Sequence, residues 1–240
     1  MNKRVELAAS VLLLAATGFA QGFWQKKAPG QWTLRECETM MNDSPWAKSR
    51  TIGDVLIEDL EKAGSIEGRE GRPWITYTAR FWSAAPVRQA FVRQRQLSKN
   101  FIALPPEQKR SVAERNDRIL SMEFADRIVL AVDYATNVDS YIRDLARYWQ
   151  TRPGSVWSMD TILITGRGRM PPLDVQVVPG EGGQFFIHFP RTVNGQPVVS
   201  PGDKNISLEF IHPEIGVLRT ERMLFNFKVK DMTASGAAVY

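Results

Sequence analysis

The chain has one cysteine, Cys37, and two histidines, His188 and His212, among 240 residues. A single cysteine excludes an internal disulfide and any zinc site built on several thiolates, so the fold must be held by its core alone. No H-E-x-x-H, G-x-S-x-G or Walker A string occurs, which removes the helical zinc-protease, nucleophile-elbow and P-loop chemistries in their usual spelling. No apolar run reaches the ~20 residues that a membrane-spanning helix needs. Neither a repeat nor a low-complexity tract is apparent.

What is present begins with residues 1–20, MNKRVELAASVLLLAATGFA. Lys3 and Arg4 precede the apolar stretch from Leu7 to Ala16, and Gly18 and Ala20 supply the small residues of a cleavage site before Gln21. That is the pattern of a secretory signal peptide, with Glu6 as its one irregularity. No cysteine follows closely enough for a lipid anchor. The expectation is an exported protein, periplasmic or extracellular, with no transmembrane span after signal cleavage. Residues 21–31 are expected to form a linker, 32–151 a helix-rich segment with strands, and 152–240 an antiparallel β segment. The whole of 32–240 is expected to be one continuous domain. Its composition, 43% hydrophobic and 24% charged, is that of an ordinary globular protein.

Cys37 sits in the stretch from Trp32 to Trp46. Thr33 and Glu36 have the spacing of a capping box, and Trp32 and Cys37 take the two positions of a hydrophobic staple. Leu34, Cys37, Met40 and Met41 share one helical face, and Pro45 stops the helix. Cys37 is therefore expected on the packed face as a structural thiol, far in sequence from any histidine that would activate it. On Trp32, Thr33, Glu36, Met40, Ser44, Pro45 and Trp46, this stretch resembles the opening of an uncharacterised group of exported bacterial proteins. It is more loosely similar to the start of GWxTD-domain proteins, although the GWxTD string itself is absent. The direct match covers about fifteen residues, with Phe225–Met232 as a vaguer echo. Neither resemblance implies a catalytic residue.

Further along, the period-two alternation of Trp74–Trp82 predicts a strand with Ile75, Tyr77, Ala79 and Phe81 on one face. Gly53–Gly64 reads as a short helix or strand and Gly64–Gly71 as a charged loop. The periodicity then predicts helices over Val87–Phe101, from Glu107 to Ile119 or beyond, and over Val138–Trp149, with a strand at Arg127–Ala135. Five strand-length apolar runs follow, at Trp157–Thr165, Leu173–Val178, Gln184–Phe189, Asn205–Ile211 and Val217–Val229. Turn signals separate them, among them Gly166–Arg169 and Gly180–Gly183. The fold class is α+β: helices mainly in the first half, and a mostly antiparallel β sandwich or open barrel in the second.

Two constellations stand out as candidate sites. Between Pro86 and Arg118 lie eight basic and three acidic residues, so all of the exported chain's excess positive charge lies in this segment and the remainder is close to neutral. Arg88, Arg95 and Lys99 fall on one edge of a single predicted helix, with Arg110 on the next. This predicts attraction to an anionic envelope surface or an acidic protein partner, and a triple change to glutamine that barely alters stability. Nucleic acid is not expected as a partner after export. His188 and His212 are the second constellation. They would meet in a metal site only if their strands paired, so the expectation is no metal and no cofactor, with a partly exposed strand histidine and a turn histidine instead. Asp160, Asp174 and Asp203 lie on strands or loops with nothing to single them out. The functional expectation is an exported, non-catalytic binding protein at the cell envelope. The alternative is an exported hydrolase with a carboxylate or histidine-based metal site.

Overall fold

The computed structural model of the protein describes residues 22–53, 72–178, 183–234 and 236–240. The signal-peptide stretch, all but the first residue of Gly53–Gly64, the loop Gly64–Gly71 and most of the Gly180–Gly183 turn lie outside the described residues.

The lead-in expected over 21–31 carries from Phe23 one turn of helix, α1 (Phe23–Lys26), and a 3-10 turn at Pro29–Gln31. Phe23 and Trp24 are half-buried against the core. Helix α2 (Leu34–Asn42) starts at the capping box: the Glu36 amide donates to Thr33 Oγ1 at 3.3 Å and the Thr33 amide to Glu36 Oε2 at 2.8 Å. Cys37, Met40 and Met41 are buried, whereas Leu34, expected on the same face, is exposed. The chain then runs into β1 (Ala47–Gly53), β2 (Trp74–Phe81), α3 (Ala85–Leu97), the short α4 (Lys99–Ile102), α5 (Pro106–Leu120) and β3 (Arg127–Thr136).

Helix α6 (Asp139–Thr151) ends where Pro153 disfavours helical geometry at Arg152. The run beginning at Trp157 is not one strand as expected. Its first part is α7 (Gly154–Asp160), and only Ile162–Thr165 forms β4. The remaining strands are β5 (Gly168–Met170), β6 (Asp174–Val178), β7 (Gln184–Pro190), the small hairpin of β8 (Thr192–Val193) and β9 (Gln196–Pro197), then β10 (Asn205–His212), β11 (Glu221–Lys228), β12 (Thr233–Ala234) and β13 (Ala237–Ala238). Asn194 and Gly195, at φ 51° and 74°, supply the two left-handed residues that a tight hairpin between β8 and β9 requires. The Gly166–Arg169 stretch closes the β4–β5 hairpin, as its turn signal predicts.

The protein is α+β, with all sheets antiparallel. Five strands lie in the order β1-β2-β3-β7-β6 and four in the order β11-β10-β4-β5. The two sheets face each other. From the first, Tyr77, Phe81 and Phe185 point inward. Their rings meet Phe210 at 5.2 Å, Phe227 at 4.8 Å and Phe210 at 5.9 Å respectively, measured between centroids. Each such ring contributes about 2–3 kcal/mol by leaving water. Among the described residues the ladders do not close into a barrel. The sandwich is not confined to the second half of the chain, because β7 and β6 extend a sheet that β1–β3 begin.

The outer face of the five-stranded sheet carries helices. Trp82 packs on Phe91 of α3 at 5.2 Å and on Phe186 of β7 at 5.7 Å. Arg80, also on that face, donates to the Met41 carbonyl at the end of α2 and pairs with Asp133. Helices α6 and α7 lie elsewhere. Trp149 of α6 and Trp157 of α7 pack on Phe185, on the inner face, at 5.1 and 5.3 Å.

Candidate binding groove

Tyr141, Leu145 and Trp149 repeat at four-residue steps, which puts all three on the buried stripe of α6. Arg152 leaves the helix one turn past Tyr148, and after the turn at Pro153 helix α7 brings Trp157 back onto Trp149. The two indoles stack at 5.0 Å with 25° between their planes. The Arg152 guanidinium lies against this aromatic wall, 5.1 Å from the Tyr148 ring, 5.7 Å from Trp149 and 5.2 Å from Trp157. Nη2 of Arg152 pairs with the Asp160 carboxylate and Nη1 donates to the Tyr148 hydroxyl. The side chain is only 3% exposed. A cation so nearly dry persists because a carboxylate and three ring faces replace its water.

Opposite this wall stands β6, the terminal strand of the five-stranded sheet. Val175 and Val177 turn toward the core side, and Asp174, Gln176 and Val178 are exposed. Between them lies a groove of about 540 Å³ lined by Trp149, Trp157, Leu173, Val175 and Val177, with Arg152 and Ser158 among its polar members. Leu173, 63% exposed at the rim, and Met159, 71% exposed on α7, are large apolar side chains left in water. The groove is of mixed character: Val175, Val177 and Leu173 on one side, Gln150, Arg152, Ser158 and Asp174 among its polar members, and the nearly buried indoles of Trp149 and Trp157 beneath.

Of the groove's carboxylates, Asp174 is exposed on β6 and accepts from Gln176 Nε2 at 3.2 Å. Arg152 and Asp160 hold each other, and Ser158 Oγ donates back to the Gly154 carbonyl at 3.1 Å. No histidine lines it. Cys37 is far from nucleophilic: it is fully buried, and burial pushes its thiol up to about 11.

The residues singled out from the sequence fall elsewhere. Arg88 is a correction. It is 5% exposed, and its guanidinium donates to the carbonyls of Trp82 at 2.9 Å, Ser83 at 2.7 Å and Met122 at 3.2 Å. Its carbon also lies 5.1 Å over the Phe124 ring. Burial lowers its pKa, yet three carbonyls hold the cation in place. Arg88 is thus an internal clamp and no part of a basic surface. The shared edge with Lys99 is lost as well, because the helix breaks at Ser98, whose hydroxyl accepts from the Phe101 amide and starts α4. Arg95 is half-buried, and Lys99 and Arg110 are exposed. On α5 the exposed cations Arg110, Arg115 and Arg118 are matched by the exposed acids Glu107, Glu114 and Asp117, so its outer face is balanced.

The two histidines lie in different sheets whose strands do not pair. His212 belongs to β10, not to a turn. It is buried, and its Nδ1 is 2.7 Å from the Tyr77 hydroxyl. His188 points to the opposite face of its own sheet from Phe185, and it too is buried. Among the described residues no group of three or more His, Cys, Asp or Glu is placed to hold a metal ion.

The sequence pattern places Trp149 at the end of a helix and Trp157 at the start of a strand, and gives no sign of their meeting around Arg152. The available signal was a lone arginine amid Tyr148, Trp149 and Trp157, more aromatic side chains than one helix end needs. Comparisons with protein-family models, with curated proteins and with solved structures find no match to this chain. The class that the fold and groove define is an antiparallel two-sheet α+β protein with an aromatic groove at one sheet edge.

Proposed function

We propose that the protein is a non-catalytic binding protein of the cell envelope and that its ligand seats in the groove between α7 and β6. The observation that carries this reading is the stacked pair of Trp149 and Trp157 beneath the groove, with Leu173 exposed at its rim and Met159 exposed on the adjoining α7. Large apolar side chains beside a concave surface offer contact area to a ligand. The engaged state of Arg152, Asp160 and Ser158 supports binding over hydrolysis. The envelope location rests on residues 1–20. The test is capture from envelope extract by the tagged protein, compared with Leu173→Glu and Met159→Glu. A component retained by the wild type and lost from both variants is expected. Identical capture by all three would remove the groove from the account.

A second reading has its own observation. Lys99 and Ile102 share one turn of helix, with Ile102 61% exposed, and Arg95 and Arg110 are the neighbouring cations of the same segment. A cation beside an exposed apolar side chain suits an anionic lipid surface. Vesicles with anionic lipid should bind the protein at low salt, and Arg95, Lys99 and Arg110 changed together to glutamine should bind less. Equal binding by wild type and variant would sink this reading and leave the groove untouched.

A further inference from the structure

We infer that the protein associates as a two-fold dimer by pairing β6 with β6 of a second copy. The argument begins at the other side of β7. The Tyr134 amide donates to the Gly183 carbonyl at 3.0 Å, and Asp133 stands opposite Gln184 one step on. Antiparallel ladders bond at every second residue. Phe185, Ile187 and Phe189 therefore direct their peptide groups to β3, and Gln184, Phe186 and His188 direct theirs to β6. The β6 partners of these three are Val178, Gln176 and Asp174. Val175 and Val177 consequently turn their N–H and C=O groups away from the sheet, where no further strand lies among the described residues.

A two-fold axis at Gln176 places Val175 of one copy opposite Val177 of the other, and the reverse. All four outward peptide groups of each copy are then satisfied by four hydrogen bonds. The side chains agree with this register. Asp174 falls opposite Val178 of the other copy, and the two Asp174 carboxylates stand about 13 Å apart at four steps of ~3.3 Å, beyond the ~8 Å over which salt screens them. Gln176, whose Nε2 donates to Asp174 Oδ2 at 3.2 Å within its own strand, meets its own counterpart across the axis. Within the strand there is no lysine, arginine or proline, and Asp174 at its start is its one charged side chain. Leu173 and Val178, both exposed, bracket it with apolar area. An unrelated extended peptide would also find the bare edge, but the symmetry of Val175-Gln176-Val177 selects a second copy.

Strand pairing alone buries less than the ~1,200–2,000 Å² of stable complexes, so the dimer should dissociate in the micromolar range. Sedimentation velocity of the protein from about 1 to 100 μM should pass from monomer to dimer. Gln176 is exposed, so Gln176→Lys and Gln176→Glu should keep the native melting curve. Each sets like charges ~4.5 Å apart at the axis and should weaken the dimer by tenfold or more. Mixing the two variants should restore association as a heterodimer. A wild type that stays monomeric to 100 μM overturns the proposal, as does a Gln176→Lys variant that dimerises like wild type or a mixture that fails to associate.

Discussion

Tyr77 and His212 join the two sheets through a hydrogen bond of 2.7 Å between the phenol oxygen and Nδ1, at a point where neither side chain reaches solvent. Burial pushes the phenol well above its ordinary range, so it keeps its proton. The bond engages Nδ1 of the imidazole, and Nε2 is buried with no hydrogen-bond partner among the described residues.

This pair sets a pH dependence. Burial depresses His212 from 6.5 to about 4. Between those values the unfolded chain takes up a proton at this site and the folded chain does not. The contribution to stability is therefore whole above pH 6.5 and is lost as pH falls toward 4, with a slope of at most ~1.4 kcal/mol per pH unit. His188, depressed by burial against an opposing pull from Asp174, adds in the same direction. Urea midpoints at pH 7.5, 6 and 5 should decline, and His212→Gln should flatten the decline. An unchanged slope in that variant would clear His212 of the effect.

Arg88→Met should destabilise the protein by about 2–4 kcal/mol, because the carbonyls of Trp82, Ser83 and Met122 lose a charged donor. Lys99→Gln, at an exposed site, should stay within about 0.5 kcal/mol. The sequence-based expectation that both changes are mild is thus reversed for one residue. Equilibrium unfolding of the two variants separates them directly.

Cys37 should react slowly with a thiol reagent in the folded protein and quickly in denaturant, since burial holds its thiol at about 11. Cys37→Ala should cost ~1 kcal/mol for the small apolar group removed. Rapid labelling under native conditions would contradict the buried position.

Asp160→Asn should cost about 1–2 kcal/mol, as the nearly dry Arg152 guanidinium would keep its three rings but lose its counter-charge. Asp160 is itself partly exposed, which holds the figure down. A variant as stable as wild type would mean that the aromatic wall alone suffices.

Local features of the fold were legible in the sequence wherever a side chain answers to its near neighbours. Thr33 and Glu36 announce their helix start, and Ile75, Tyr77, Ala79 and Phe81 announce the inward face of β2. Legibility failed where distant segments decide, and at one local cap, Ser98. Arg88 sits on a helix edge by periodicity, yet carbonyls from either side of it in sequence, Trp82 and Met122, draw it inward. Ser98 breaks a helix that the apolar spacing from Val87 to Phe101 would continue, because its hydroxyl caps a new turn. Trp157 and Met159 look like the start of a strand, since a short apolar run has no period to distinguish it from a helix. Stacking on Trp149 settles the matter for Trp157. The candidate groove depends on β6 being last in its sheet, an order that no local pattern encodes.

That strand order also governs when the fold can form. β2 and β3 are neighbours in the sheet, but the partner on the far side of β3 is β7, some fifty residues later, and the facing layer waits for β10 and β11. A chain emerging from its N-terminus thus holds Tyr77, Phe81 and Leu130 with nothing to cover them until most of its length is available. Distant pairing of this kind slows folding. Under the export proposed above, such lateness would be an asset, because the inner face of β2 and β3 stays uncovered until the later strands have crossed.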